Sequence, residues 1–283
     1  MGNQRRSFPR MMEAVQELKG GIIGNVYFAK GWYANNRKSI GKGKNIPVPG
    51  NLNFELWQGP APRRPYQDNL VHYNWHWFWN WGTGEALNNG THEIDMMRWG
   101  LGVEHPNKVV SAGGRFAFAD DWETPDTQTI TWEFPGNKAM LWEGRSCNPY
   151  NEEGSGRGVI FYGEKGTMSI PGGDDYKVFD MENKLVKEVK TSIEGIDATN
   201  TMGMGEKLDS LHLTNFVDAI RGKTQLTSPI TEGFKSTLLP QLGNIAYRSG
   251  QILYCENNGH IQNNPAAAKF WSRQYEKGWE MKL

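Results

Sequence analysis

The 283-residue sequence has few cysteines, no excess of charge of either sign and no long apolar run. Its two cysteines, Cys147 and Cys255, cannot form a disulfide framework and lack the paired spacing of a metal knuckle. The 31 Lys and Arg residues balance the 31 Asp and Glu residues, whereas nucleic-acid and anionic-membrane binders carry a basic excess. No stretch approaches the ~18 apolar residues that cross a bilayer. We therefore expect neither nucleic acid nor a membrane as a partner.

The sequence also lacks the common cofactor and catalytic motifs. It contains no G-x-G-x-x-G, phosphate-binding loop, nucleophile elbow or H-E-x-x-H zinc motif. The glycine-rich segment 154–158 precedes a predicted strand rather than a helix, so we interpret it as a flexible turn. The Arg5-Arg6 pair is followed by charged residues instead of the apolar segment of an export signal. We therefore expect a cytoplasmic location, or a periplasmic one if an export signal precedes this sequence.

The order of predicted elements favours an α+β fold. A helix over 9–20 and a strand over 25–33 are followed by an irregular region, 34–82, and a helix over 84–99. Several strands then precede a loop over 192–205 and C-terminal helices. The predicted strands are 108–118, 127–134, 138–145, 157–163, 166–170, 176–180 and 184–189, and the predicted helices are 206–221, 231–249 and 265–274. This order predicts an open, mainly antiparallel sheet with helices packed on one face.

Aromatic residues are abundant, and the 12 tryptophans are concentrated in part between 57 and 81. In the run 72–81 tryptophan recurs at every second position, which is typical of an extended segment with an aromatic face. Rings of this kind stack on sugars, and the candidate substrate-binding residues are His72, Trp75, His76 and Trp77. The alternative is a core wall of tryptophans. A metal site built from these histidines is disfavoured because the run is not helical, so we predict no metal.

The segment 84–99 is the densest group of polar residues. On a helix, Asn88, His92, Asp95 and Trp99 share one face, where the amide and the carboxylate could orient a histidine that acts as a general base. Gly90 has no evident packing reason inside a helix, and a glycine there permits a close approach of ligand or backbone. The alternative is a buried His–Asp pair that only stabilises the helix.

Several segments together resemble the C-terminal domain of the glucose–fructose oxidoreductase, inositol dehydrogenase and rhizopine catabolism (Gfo/Idh/MocA) family. Residues 88–95, NNGTHEID, resemble the D-x-G-x-H-x-x-D helix of that family. Residues 2–7 resemble the end of its nucleotide-binding domain. Residues 56–62, the aromatic run, 242–248 and the closing Phe270-Trp271 resemble one branch of it.

The resemblance implies that residues 1–283 form a single substrate-binding and oligomerisation domain. Residues 1–24 would be the connecting helix and 34–82 a long aromatic loop, and the Rossmann domain would be absent. It implies an NAD(P)-dependent sugar or glycoside oxidoreductase as the parent enzyme and a homo-oligomer formed through the open sheet face. NAD or NADP would not be bound by this chain alone.

The resemblance also implies site residues. His92 corresponds to the catalytic histidine, Asn88 stands where many members have an aspartate, and Asp95 matches the second acidic position. The cofactor-side residues would be Gln4, Arg5 and Arg6. Two alternatives stay open: a freestanding carbohydrate-binding or assembly module, and a cofactor-independent hydrolase or lyase that uses His92 with Glu85 or Asp95.

Overall fold

The computed structural model of the chain describes residues 2–191 and 206–280, so the loop predicted over 192–205 lies outside the described residues. The strands are β1 (Val26–Ala34), β2 (Lys108–Gly114), β3 (Thr127–Phe134), β4 (Lys138–Arg145), β5 (Arg157–Gly163), β6 (Gly166–Ile170), β7 (Tyr176–Phe179), β8 (Leu185–Val189) and β9 (Leu253–Tyr254). The helices are α1 (Pro9–Lys19), α2 (Phe54–Gln58), α3 (Glu85–Asn88), α4 (Gly90–Leu101), α5 (Glu206–Ile220), α6 (Ile230–Ser249) and α7 (Pro265–Ala268). Short 3-10 helices form at Gln4–Ser7 and Asn74–Trp77.

One sheet contains all nine of these strands, in the order β8-β7-β6-β5-β1-β4-β3-β2-β9. Among the described strands only β1 and β4 pair in parallel; the other neighbours are antiparallel. The predicted α+β class with a mainly antiparallel open sheet is therefore confirmed.

The core lies between this sheet and the helices on one of its faces. Ile130 pairs with Trp142, and Trp132 with Met140, so the alternation of strands β3 and β4 places these buried side chains on the same face. The indole N–H of Trp132 donates to the Leu239 carbonyl of α6 at 3.0 Å. This face packs against α6 over β2 and β3 and against α4 over β1, β4 and β5.

The opposite face of the sheet carries side chains of mixed polarity. Val110, Thr131 and Leu141 form a row across β2, β3 and β4 on this face, in register with Lys30 of β1. Val110 is exposed, and Thr131 and Leu141 are half-buried. Within the described residues, the helices that contact the central strands, α4 and α6, lie on the other side of the sheet.

Three predicted elements differ from the structure. The helix predicted over 84–99 is divided at Asn89 into α3 and α4, and the helix predicted over 265–274 contains only α7. Region 34–82 is irregular as predicted, but it contains α2 and the 3-10 helix Asn74–Trp77. Within the described ranges, no helix has the length and apolar composition needed to cross a bilayer.

Candidate active site

Glu85 organises the start of the polar helix region. The buried Glu85 carboxylate accepts from the Arg37 guanidinium at 2.6 Å and from the side-chain amides of Asn88 at 3.1 Å and Asn89 at 2.6 Å. Gly84, immediately before α3, has a φ of +70°, and a Cβ there would lie 2.9 Å from the Thr124 side chain. Glycine therefore allows both the positive φ and the close approach to Thr124 at the start of α3.

Glu93, on the first turn of α4, forms a second buried charge cluster. Its Oε1 lies 2.7 Å from Nη2 of Arg157 and 3.4 Å from Nη2 of Arg5, and all three side chains are almost fully buried. Burial lowers the pKa of Arg5 to about 10, against the opposing effect of the Glu93 charge, so Arg5 remains a cation at neutral pH. The cluster joins β5, α4 and the N-terminal 3-10 helix.

Asp95 belongs to a third cluster rather than to a histidine pair. Arg6 donates from Nε to both Asp95 oxygens, at 3.1 and 3.0 Å, and from Nη2 at 2.9 Å. The Ser236 hydroxyl donates to the same carboxylate at 2.5 Å. These contacts fix α4 against α6 and the N-terminal segment. Within the described residues Asp95 makes no hydrogen bond to His92, so the predicted contact between them is absent from this structure.

His92 lies between these clusters at the start of α4 and is half-buried. Burial and the positive charges of Arg157 and Arg5 together lower the pKa of its imidazole to about 3. The residue as a whole keeps some exposure to solvent. His92 is therefore neutral at physiological pH and offers a hydrogen-bond acceptor in surroundings that are electropositive.

Asn88 is the polar neighbour of His92 on the preceding turn. Its Nδ2 donates to Glu85 and to the Tyr73 hydroxyl, the latter at 3.2 Å. Because both donor positions are used, the amide oxygen is the group left to accept a hydrogen bond from a ligand hydroxyl. The break at Asn89 means that Asn88 and His92 lie on consecutive helices rather than on one continuous face, which corrects the single-helix prediction.

Gly90 does have a packing reason, contrary to the sequence-based expectation. A Cβ at this position would lie 2.7 Å from the Trp142 indole ring of β4. Glycine thus lets the start of α4 approach the sheet closely, and the close neighbour is the protein's own tryptophan.

The aromatic run is compact rather than extended, which corrects the predicted alternation of faces. Trp77 is buried, stacks on Trp122 with ring centroids 4.0 Å apart and is covered by the Arg37 guanidinium at 4.8 Å. Its ring therefore belongs to the core. The His76 ring stacks on Trp75 at 3.8 Å, whereas His72 is exposed.

The N-terminal residues fit a nicotinamide only in part. Arg5 and Arg6 are buried in ion pairs with Glu93 and Asp95, which leaves them to position the N-terminal segment rather than to contact a cofactor. Gln4 is half-buried, and its Oε1 has no hydrogen-bond partner in the described chain. This oxygen could accept from the carboxamide of a nicotinamide.

A cavity of about 1070 Å³ lies beside this region and does not include His92. Its walls come from residues 57–64, residues 75–83, helix α6 and residues 269–275. Trp75 is the one predicted substrate-binding residue among them. In the described residues, no group of three or more His, Cys, Asp or Glu side chains could hold a metal ion.

Comparison with protein families matches residues 53–251 to the C-terminal alpha/beta domain of the oxidoreductase family Gfo/Idh/MocA. The chain belongs to this family. The match covers most of the chain and includes α3, α4 and strands β2 to β8. No curated protein matches the chain in a sequence comparison.

Several solved structures have the same fold as this chain at low sequence identity. An oxidoreductase from Thermotoga maritima is 15% identical with a TM-score of 0.56, covering 90% of this chain and 61% of its own. An Agrobacterium radiobacter oxidoreductase, in complex with NAD+, L-tartaric acid and magnesium, is 11% identical with a TM-score of 0.55 (89% and 64% covered). A candidate myo-inositol dehydrogenase from Sinorhizobium meliloti is 14% identical with a TM-score of 0.54 (89% and 64%). The chain therefore spans less than two thirds of the length of these structures.

Sequence reasoning missed Arg157, whose charge acts on His92, and Arg37, which bonds Glu85. Arg157 lies where the predicted turn, 154–158, overlaps the predicted strand, 157–163; in the structure it pairs with Tyr33 and lies on the same face of β5 as Val159 and Phe161. The alternation along β5 contained this signal. Arg37 follows β1 in the irregular region, where no periodicity indicates that it bonds Glu85.

Proposed function

We propose that this chain is the substrate-binding domain of an NAD(P)-dependent oxidoreductase that acts on a secondary alcohol of a sugar or glycoside. The observation that carries the proposal is the neutral, partly exposed His92, which lies next to Asn88 and between buried arginines in a chain of an oxidoreductase family. Similar structures include a complex with NAD+ and L-tartaric acid and a candidate myo-inositol dehydrogenase, which point to a nicotinamide cofactor and hydroxylated small molecules.

The residues around His92 suit binding of a substrate hydroxyl and stabilisation of negative charge on its oxygen, whereas an imidazole with a pKa of about 3 is itself a weak base. The neutral imidazole accepts a hydrogen bond from the substrate hydroxyl, and the Asn88 amide oxygen accepts one from a neighbouring hydroxyl. The Arg157 and Arg5 charges that lower the pKa of His92 also stabilise negative charge that develops on the substrate oxygen. A bound nicotinamide supplies the hydride acceptor.

We propose that a nucleotide-binding domain outside this sequence binds the cofactor. The sequence has no G-x-G-x-x-G, and among the predicted cofactor residues Gln4 has a side-chain oxygen without a hydrogen-bond partner in the described chain. We propose that the helix-free sheet face, with its row of Val110, Thr131 and Leu141, forms a homo-oligomer interface.

Two titrations test the proposal. Calorimetry with myo-inositol and methyl glucoside should detect binding that weakens about three- to tenfold in His92→Ala, the range expected for one neutral hydrogen bond. His260→Ala, a substitution of an exposed histidine outside the site, is the matched control. NADH should show no micromolar binding to this chain. Unchanged polyol affinity in His92→Ala, or micromolar NADH affinity, contradicts the proposal.

A further inference from the structure

The large cavity has a strongly one-sided charge. Four cationic residues line it, and among the described lining residues there is no aspartate or glutamate. The cations are Arg64, Arg248, Lys269 and Arg273. The sequence as a whole carries equal numbers of acidic and basic residues, so this concentration is a local feature that attracts anions.

These cations differ in how far their charge is already paired. Arg64 lies 2.9 Å from Glu123, and Arg273 donates to the Trp81 and Gly82 carbonyls. Arg248 makes no ion pair or hydrogen bond through its side chain to any described residue. It lies over the Trp79 ring at 4.7 Å and the Phe270 ring at 4.3 Å. A guanidinium held between two rings keeps its donors for a ligand.

The neighbours of Arg248 also change the pKa of its guanidinium. Burial lowers its pKa, and the charge of Arg273 acts in the same direction, while Glu123 opposes both. An anion bound between Arg248 and Arg273 would relieve this repulsion. Glu123 cannot replace such an anion, because Arg64 and the Trp79 backbone N–H already bond its carboxylate.

The aromatic walls suit a flat ring rather than a bare ion. Trp75 stacks on His76 at 3.8 Å, and Trp271 stacks on His260 at 4.9 Å, so each tryptophan has one face covered by an imidazole. The opposite face of each ring is the one left for a ligand. Tryptophan faces that line a pocket with polar groups are typical of sugar sites.

Two amides complete the lining. Gln241 and Gln274 line the cavity and make no side-chain hydrogen bonds to other described residues. Each amide offers both donors and an acceptor, as the hydroxyls of a sugar require. The volume, about 1070 Å³, is at the upper end of the range for small-molecule pockets and admits more than one sugar ring.

We propose that this cavity is a second binding site, separate from His92, for an anionic oligosaccharide such as one built of uronic acids. The carboxylates pair with Arg248 and Arg273, the sugar faces stack on Trp75 and Trp271, and the amides bond the hydroxyls. The proposal does not depend on dehydrogenase activity, because its ligand, its charge pattern and its residues are independent of His92.

The test uses tri-galacturonic acid and its fully methyl-esterified form, which has the same rings without the charge. Calorimetry at low salt should detect binding of tri-galacturonic acid. The substitution Arg248→Gln should weaken this binding at least tenfold, which is the range for a hydrogen bond to a charged group. Indole fluorescence provides a second readout because tryptophans line the cavity. Circular dichroism confirms that each variant is folded.

Two control variants distinguish binding in the cavity from binding elsewhere on the protein. Arg221→Gln removes an exposed arginine outside the cavity and should leave the affinity unchanged, as should His92→Ala. Equal binding of the methyl ester, tighter binding of ATP than of the uronate, no detectable binding of the uronate, or loss of binding in His92→Ala would each overturn the proposal. Failure of the polyol titration at His92 would leave these results unaffected.

Discussion

At the residue scale, the protonation of His92 is the most specific property of the site. Its pKa of about 3 lies well below the ordinary 6.5 because of desolvation and the positive charges of Arg157 and Arg5. Proton NMR should therefore find the His92 ring signals constant between pH 8 and pH 4.5. A His92 ring that titrates near pH 6.5 would show that the arginines do not surround it as described.

The same shift predicts how stability responds to acid. Between pH 6.5 and 3 the unfolded chain binds a proton at His92 that the folded chain does not bind, so acidification favours unfolding. The free energy of unfolding falls by up to about 1.4 kcal/mol per pH unit through His92 in this window. His92→Gln should reduce the slope of the unfolding free energy against pH in this window, measured by urea denaturation. His260→Gln is the control, and an equal slope in wild type and His92→Gln would contradict this explanation.

Gly90 gives a second prediction at this scale. Alanine normally stabilises a helix relative to glycine, but a Cβ at Gly90 would overlap the Trp142 ring. Gly90→Ala should lower the free energy of unfolding by about 1–3 kcal/mol, the range for overpacking. In Gly20→Ala, where φ is −74° and the nearest atoms lie 3.4 Å from the Cβ, stability should be unchanged or raised. Equal effects in the two variants would show that Trp142 can move aside.

At the scale of elements, buried ion pairs determine how α4 sits on the sheet. Removing the Glu93 charge leaves Arg5 and Arg157 buried beside each other without their shared carboxylate. Glu93→Gln should therefore cost about 3–5 kcal/mol of unfolding free energy, measured by denaturant titration. Glu104→Gln, which removes an exposed partner of Lys235, should cost about 0–1 kcal/mol. A loss below 1 kcal/mol in Glu93→Gln would contradict the role of this cluster.

The elements also show what the sequence could and could not predict. The predicted strands 127–134, 138–145 and 157–163 match β3, β4 and β5, because strand formation there depends mainly on local sequence. The division of the polar helix at Asn89 was not predictable, since it depends on the contact of Gly90 with Trp142 across the fold. The aromatic run likewise forms a 3-10 helix because Trp77 packs on Trp122, a residue distant in sequence. His92 and Asn88 were predicted as site residues from their types and spacing, whereas the roles of Arg37 and Arg157 depend on neighbours distant in sequence.

At the scale of the whole molecule, the helix-free face of the sheet predicts an assembly. Val110 is exposed there beside Thr131 and Leu141, a row suited to packing against a second copy. Light scattering after gel filtration should show a dimer or larger species that Val110→Glu dissociates. Leu56→Glu, a substitution of an exposed leucine in α2, should leave the assembly intact. A monomeric wild type would rule out the sheet face as an interface in this chain.

The two proposed sites make the whole molecule a domain that distinguishes neutral from anionic sugars. The His92 region has buried arginines whose charges are shared with carboxylates, and it offers neutral hydrogen-bonding groups at its surface. The cavity has cations and rings without any lining carboxylate among the described residues. The two should therefore respond to different ligands.

An NMR titration of the isotope-labelled protein with myo-inositol tests whether His92 is the centre of the substrate site. We expect shifts of the His92 ring and Asn88 side-chain amide signals, with the Trp79 and Trp271 indole signals unchanged. Shifts at the two indoles with none at His92 and Asn88 would contradict the assignment of His92 as the centre of the substrate site.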